Sequence, residues 1–443
     1  MTTTIPDEFI AAFNRVWLLP AGMDHNAILN SHEFLHLRNT SDKHCHAQIE
    51  GNFFDPFLLR GLHKLGVPCF FTAGSPLAAA DMSETAAQCY GALMKRHEQH
   101  IYLCPLDCAG CIPQIETANW SIRRFSKNEL DELLNSLPLQ RVPGNVSADT
   151  ARLSQFLWLV VRHVEEMRAD FAERYWPWNA NRDHPGAVSP YKFIHPEAVE
   201  SAIFSLMLAP WEEWQHNEEY YWRPFNIPWV HTLSDDIFRQ QLPIPSAATL
   251  SWVLCSYHDE NVGWDEYEAP HEYAYSVTCD QLMPFFDPQF CNQLEAAVTS
   301  GLINVAARHQ FVKAFMSDGV DEFLAHVVVI DACIGETSAD KAMEKHLRRL
   351  QSTGRLKYRL AGLLNDASVK ESMNVIYNAR SDYVHGNALE EIPGEHILQA
   401  RSLAQKTLNA IVTEAGRSPG LVREAFLDDI LRRGWNLIES GCS

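Results

Sequence analysis

No apolar run in this 443-residue chain approaches the ~20 residues that a membrane-spanning helix needs, so no membrane partner is expected. The opening stretch, MTTTIPDEFIAAFNRV, lacks a basic segment followed by an apolar one. A secretory leader is therefore not expected, and the chain reads as cytoplasmic. Its 11 cysteines are scattered and odd in number, which suits reduced thiols or metal ligands and excludes a disulfide framework. There is no internal repeat and no low-complexity segment. With 46% hydrophobic and 21% charged residues, an extensively disordered chain is excluded as well.

Basic residues are also in short supply: 36 Lys and Arg stand against 56 Asp and Glu, a net charge of -20. The deficit is uneven. Residues 301–443 carry 17 basic and 18 acidic side chains, so the first 300 hold nearly all the negative charge and should repel nucleic acid. Residues 341–370 reverse the sign locally. They carry Lys341, Lys345, Arg348, Arg349, Arg355, Lys357, Arg359 and Lys370 against Glu344 and Asp366. If any surface here meets a polyanion such as RNA, it is this one, with Arg348, Arg349, Arg355, Lys357 and Arg359 as the candidate binding residues.

Three regions follow from the text. Residues 1–145 read as mixed α/β: strands near Val67–Phe71 and Ile101–Cys104, a helix over Ser83–His97, and a helix capped by Ser126 with Glu129 three residues on. Val142-Pro143-Gly144-Asn145 marks a boundary. Residues 146–292 read as mainly helical, with one amphipathic helix over 148–176. They are rich in aromatics (Trp211, Trp214, Tyr220, Tyr221, Trp222, Phe225, Trp229) beside Glu212, Glu213, Glu218 and Glu219. Aromatics among acids suit packing or a protein-binding surface better than base stacking. Residues 293–443 read as all-α, with helices over 293–316, 319–334, 338–365, 367–385, 394–415 and 419–438.

A cluster in the first region, His100, Cys104, Cys108 and Cys111, has spacing that suits a structural zinc ion. Cys108-Ala109-Gly110-Cys111 forms a turn of the right size for two thiolates. Unligated reduced thiols remain the alternative. So, more remotely, does an iron–sulfur cluster, for which the residue before Cys111 is the wrong type. His32, His36, His44, Cys45 and His46 are equally dense but lack a second cysteine pair, and read as ordinary surface or core side chains.

The most informative string is Tyr377-Asn378-Ala379-Arg380-Ser381-Asp382-Tyr383-Val384-His385-Gly386, at the end of the 367–385 helix. Five residues of helix separate Arg380 from His385 by ~140° and ~7.5 Å along the axis. A long guanidinium and an imidazole in the last turn can still reach one point beyond the helix end. Gly386 fits the left-handed position that terminates a helix, and the dipole there favours a cationic imidazole. An imidazole moves protons near neutral pH, and a guanidinium grips a phosphate bidentately. RNA brings its own nucleophile in the 2′-hydroxyl, so this pair could cleave RNA with no cofactor. A second acid/base group would come from a two-fold partner.

The bare pattern, Arg and His with four to six residues between them, is loose, since Arg38 and His44 also satisfy it. The longer string resembles the Apea-like branch of the HEPN superfamily of ribonucleases, together with Val327-Val328-Val329-Ile330-Asp331 and Lys357-Tyr358-Arg359-Leu360-Ala361. The resemblance covers about residues 300–443. It implies an all-α C-terminal HEPN-like helical bundle, which follows an α+β N-terminal region expected from the residues themselves. It also implies a metal-independent endoribonuclease leaving a 2′,3′-cyclic phosphate, a homodimer through the C-terminal domain, and an antiphage, abortive-infection or toxin role. Arg380 and His385 would be catalytic, supported by Ser381, Asp382, Tyr383 and Asp331. The N-terminal region would sense a protein trigger. The alternative is a non-catalytic, dimeric binding or scaffold protein of the same fold. A metal-dependent enzyme built on the cysteine cluster is a third reading.

Overall fold

The computed structural model describes residues 4–44, 54–110, 112–141, 147–166, 195–211, 223–239, 242–259, 263–273, 279–335, 347, 350–386, 392–418 and 420–440. The described helices of eight residues or more are α1 Asp7–Trp17, α2 His32–His44, α3 Phe54–Leu65, α4 Met82–Leu93, α5 Lys127–Leu134, α6 Glu197–Met207, α7 Pro288–Thr299, α8 Val305–Phe315, α9 Gly319–Ile334, α10 Ser352–Leu364, α11 Val369–Val384, α12 Gly394–Arg417 and α13 Arg423–Ser440. The strands are β1 His97–Leu106, β2 Ile115–Glu116, β3 Trp120–Arg124, β4 Leu157–Glu166, β5 His231–Ser234, β6 Trp252–Asp259 and β7 Gly263–Pro270. Two compact units result. One gathers residues 1–109, 118–189 and 227–272; the other gathers 110–117, 190–226 and 273–443. No described helix is long and apolar enough to cross a membrane.

In the first unit, α1 buries Phe9, Ala12, Phe13 and Val16, a stripe at three- and four-residue spacing. These join Phe34, Phe57, Leu58, Leu62 and Phe238 in one core. Strands β3, β4, β1 and β5 lie side by side in that order, and each of these pairings is antiparallel. The register sets Cys104 opposite Leu159, His100 opposite His163 and Glu98 opposite Glu165. The other face of this sheet buries Leu103, Trp158 and Val160 against Leu130 and Leu134 of α5 and against Trp229. Helix α5 opens with the capping box read from the sequence: the Ser126 hydroxyl accepts from the Glu129 N–H while Glu129 accepts from the Ser126 N–H.

Three expectations are corrected in this part of the chain. The 148–176 helix is instead a short turn at Thr150–Leu153 followed by strand β4. Leu157 to Val161 form an unbroken apolar run that is buried throughout, and a run of that length fits a core strand as well as a helix. Val67–Phe71 is a 3₁₀ turn over Pro68–Phe70, because Pro68 has no N–H to give a ladder. The mainly helical middle region has one long described helix, α6, and strands β4 to β7. Its aromatics Trp211, Phe225 and Trp229 are core residues; Trp214, Tyr220, Tyr221 and Trp222 lie outside the described residues, as does the 142–145 boundary.

The described residues of 293–443 are predominantly helical, as expected. The anticipated 293–316 helix is two helices: Gly301 adopts φ +73°, and Asn304 caps α8 by accepting from the Ala307 N–H at 2.8 Å. Helices α9 and α12 are tied by a buried ion pair in which Arg401 Nε donates to Glu322 Oε1 at 2.9 Å. Helices α10 and α13 cross where each carries a glycine. A Cβ on Gly434 would sit 1.8 Å from the Tyr358 carbonyl oxygen, and one on Gly362 would sit 1.9 Å from that of Ile430. Backbone contact this close fixes α10, and α10 carries Lys357 and Arg359 toward their neighbours.

Candidate active site

Helix α11 exists because Val369, Met373, Ile376 and Ala379 form a buried stripe. It stops where the sequence says it should. Gly386 takes φ +70°, its N–H donates to the Tyr383 carbonyl at 3.2 Å, and the His385 N–H donates to the Ser381 carbonyl at 2.9 Å. The imidazole of His385 is thereby held on the capping residue, and it is exposed.

Arg380, one turn earlier, is half-buried. Its guanidinium carbon lies 5.7 Å from the centroid of the Tyr377 ring. The Tyr377 hydroxyl in turn donates to Asp331 Oδ1, on the C-terminal part of α9. Burial pushes the Asp331 carboxyl up, and the Tyr377 hydrogen bond and the Arg380 charge draw it partly back. Burial, the Asp331 charge and the same hydrogen bond push the Tyr377 phenol up, so it stays a donor. Asp331 thus fixes the ring that the guanidinium rests beside. Sequence reasoning placed Tyr377 in the string and Asp331 in the Val327–Asp331 segment of the resemblance but missed this link. The three-residue step from Tyr377 to Arg380 signals that these two share a helix face, while the bond to Asp331 has no local signal.

The remaining expected site residues are placed as follows. Ser381, Asp382 and Tyr383 are exposed, and none of their side chains, nor that of His385, is hydrogen-bonded among the described residues. They lie on the exposed side of the helix end. The expectation for Arg359 is corrected. It is fully buried, donating from Nη1 to the carbonyls of Ile334 (3.2 Å) and Gly335 (3.0 Å) and from Nε to that of Leu427 (3.3 Å). It closes the C-terminus of α9, where carbonyls lack helical partners, and is no RNA-binding surface residue. Arg355 is half-buried and donates to the Leu350 carbonyl at 2.8 Å. The Lys357 ammonium donates to Asn374 Oδ1 of α11, and partial burial lowers its pKa. Lys370 lies 4.9 Å above the Tyr358 ring. Arg348 and Arg349 lie outside the described residues.

His100 and Cys104 are not two ligands of one zinc ion. His100 and Cys104 sit on the same strand, β1, four residues apart, which separates their backbones by about 13 Å. Two ligands of one zinc must approach to about 4 Å. Cys104 and Cys108 are buried, and burial pushes the Cys104 thiol up. Cys111 lies outside the described residues. His100 belongs to a different constellation: its Nε2 lies 3.0 Å from Glu165 Oε1 and 3.6 Å from Glu98 Oε2. Glu98 is already engaged, by both Nε (2.5 Å) and Nη2 (2.6 Å) of Arg239 and by the Ser234 hydroxyl.

Comparison with family models, with curated proteins and with solved structures finds no match to this chain.

Proposed function

We propose that the chain is an endoribonuclease of HEPN type acting through Arg380 and His385. The observation that carries this reading is the end of α11. An exposed imidazole on the helix-terminating residue stands one turn from a guanidinium backed by the Tyr377–Asp331 pair. The string Tyr377 to Gly386 gives the reading its family resemblance. In the proposed reaction Arg380 holds the scissile phosphate and stabilises charge developing on its non-bridging oxygens. His385 takes the proton from the ribose 2′-hydroxyl as that oxygen attacks phosphorus. The 5′-oxygen leaves, and the product strand ends in a 2′,3′-cyclic phosphate. The leaving oxygen needs a proton, which we assign to His385 of a second, two-fold-related copy. No metal enters this scheme, because the nucleophile is intramolecular.

The test is cleavage of a labelled single-stranded RNA by the full chain and by Arg380→Ala, His385→Ala and Arg380→Lys. The expected result is loss of cleavage in the two alanine variants with unchanged circular dichroism, and partial retention in the lysine variant. Equal cleavage by all four proteins rejects the assignment and favours the scaffold alternative. Wild-type cleavage at monomer concentrations, judged by sedimentation, rejects the two-copy element alone.

A further inference from the structure

Strands β6 and β7 form a hairpin that belongs to no other sheet among the described residues. A lone two-stranded hairpin is marginal in water, so something must hold this one. Its base is tightly held. Asp107 accepts from the Ser251 N–H at 2.9 Å and from its hydroxyl at 2.8 Å. Trp252 donates to the Ala247 carbonyl at 2.9 Å, packs edge-on against Phe156 and lies beneath the Arg152 guanidinium, which also pairs with Glu268 at 2.9 Å.

Beyond that base the hairpin stands out with apolar groups on both faces. The register places Val253, Tyr257, Tyr267 and Ala269 on one face and Leu254, His258 and Trp264 on the other. Tyr267 is 50% exposed, Leu254 63% and Trp264 74%. The exposed groups are ordered: Tyr257 and Tyr267 pack edge-on at 5.8 Å, His258 and Trp264 at 5.4 Å. Each strand also has one backbone edge without a described neighbour. Anchored, aromatic and unpartnered on its edges, this element has the form of a strand-addition surface.

Its charge selects the occupant. Residues 252–270 carry five acids, Asp259, Glu260, Asp265, Glu266 and Glu268, and no Lys or Arg. An RNA strand is repelled by such a patch, and so is a second copy of the same hairpin. We propose that the hairpin Trp252–Pro270 docks a basic, extended segment of another protein, which adds a strand to its edge. The segment sets apolar side chains on the face that carries Tyr257 and Tyr267 and cationic ones on the opposite face, beside Glu266 and over the Trp264 ring. This inference is independent of the chemistry assigned to α11.

The test is fluorescence anisotropy of a labelled alternating Lys–Val octapeptide with the full chain at low salt, beside an alternating Glu–Val octapeptide and a single-stranded RNA oligomer. The expected result is binding of the Lys–Val peptide that weakens at least tenfold in Tyr257→Ser/Trp264→Ser and in Asp265→Asn/Glu266→Gln, with the Glu–Val peptide unbound. No binding of the Lys–Val peptide overturns the proposal, as does equal affinity in both variants. RNA binding lost in the Tyr257→Ser/Trp264→Ser variant overturns it in favour of a nucleic-acid surface. A dimer that the same variant dissolves overturns it in favour of self-association.

Discussion

Replacing Arg359 by Met separates a surface role from a structural one. As a surface cation in a basic segment, Arg359 would contribute to RNA affinity and nothing to folding. In the structure it is 0% exposed and donates to three backbone carbonyls on two helices, Ile334 and Gly335 ending α9 and Leu427 on α13. Arg359→Met keeps most of the apolar stem and leaves those carbonyls without that partner. A buried acceptor left unpaired costs about 1 kcal/mol or more, so the loss is about 3 kcal/mol. The relief of no longer burying a guanidinium offsets part of a larger gross figure. At a slope of about 3 kcal/mol per molar urea, the unfolding midpoint of the helical unit falls by about 1 M. Arg359→Lys, with one ammonium in place of a planar fork, recovers less than half of this. The assay is urea unfolding followed by circular dichroism, run beside RNA binding by the folded protein at low urea. An unchanged midpoint with weakened RNA binding refutes the reasoning.

Further perturbations test other parts of the fold and site. Gly434→Ala gains about 1 kcal/mol of helix propensity but drives a methyl into the Tyr358 carbonyl; a net loss of about 2 kcal/mol is expected by thermal unfolding, and a stabilised variant contradicts the close crossing of α10 and α13. Burial lowers the imidazoles of His195 and His231 to about 4, below the ordinary 6.5 of an unfolded chain. The unfolded state therefore binds the extra protons first, so stability is full above pH 6.5 and falls as pH drops toward 4. The loss is about 2 kcal/mol per histidine at pH 5. Neither nitrogen of His195 has a hydrogen-bond partner among the described residues. His195→Leu should flatten this pH dependence without loss at pH 7, as urea midpoints at pH 7 and pH 5 will show. Tyr377→Phe removes the donor to Asp331 and should cost about 2 kcal/mol. It should also slow RNA cleavage less than Arg380→Ala does, since Arg380 keeps a ring beside it; a loss as complete as that of Arg380→Ala would mean that the hydroxyl itself takes part.

The C-terminal helices were legible because their signals are local. The stripe Val369, Met373, Ile376, Ala379 and the terminator Gly386 define α11 from within sixteen residues or so. The capping box at Ser126 and Glu129 is local too. Strand β4 was not legible, because Leu157 to Val161 are apolar at every position and only the partners β1 and β3 decide the period. At the candidate site, Arg380 and His385 were singled out by the string Tyr377 to Gly386 and its place at a helix end. Asp331, 46 residues from Tyr377, was found by resemblance, and its bond to Tyr377 only by structure. The burial of Arg359 could not be read at all: its text is basic, Lys357-Tyr358-Arg359, and only the convergence of α9, α10 and α13 puts a guanidinium inside. The grouping of His100 with Cys104 around one ion failed for a related reason. His100 and Cys104 look clustered when counted along the chain, but an extended strand spreads four residues over about 13 Å.

The central claim is attack by the ribose 2′-hydroxyl, organised by Arg380 and His385. The most direct measurement is the end-group of RNA cut by the full chain in the presence of EDTA, resolved by mass spectrometry. The account predicts a 2′,3′-cyclic phosphate on the upstream fragment and a 5′-hydroxyl on the downstream one, with both absent in His385→Ala. A 5′-phosphate with a free 3′-hydroxyl, or cleavage that EDTA abolishes, would contradict it.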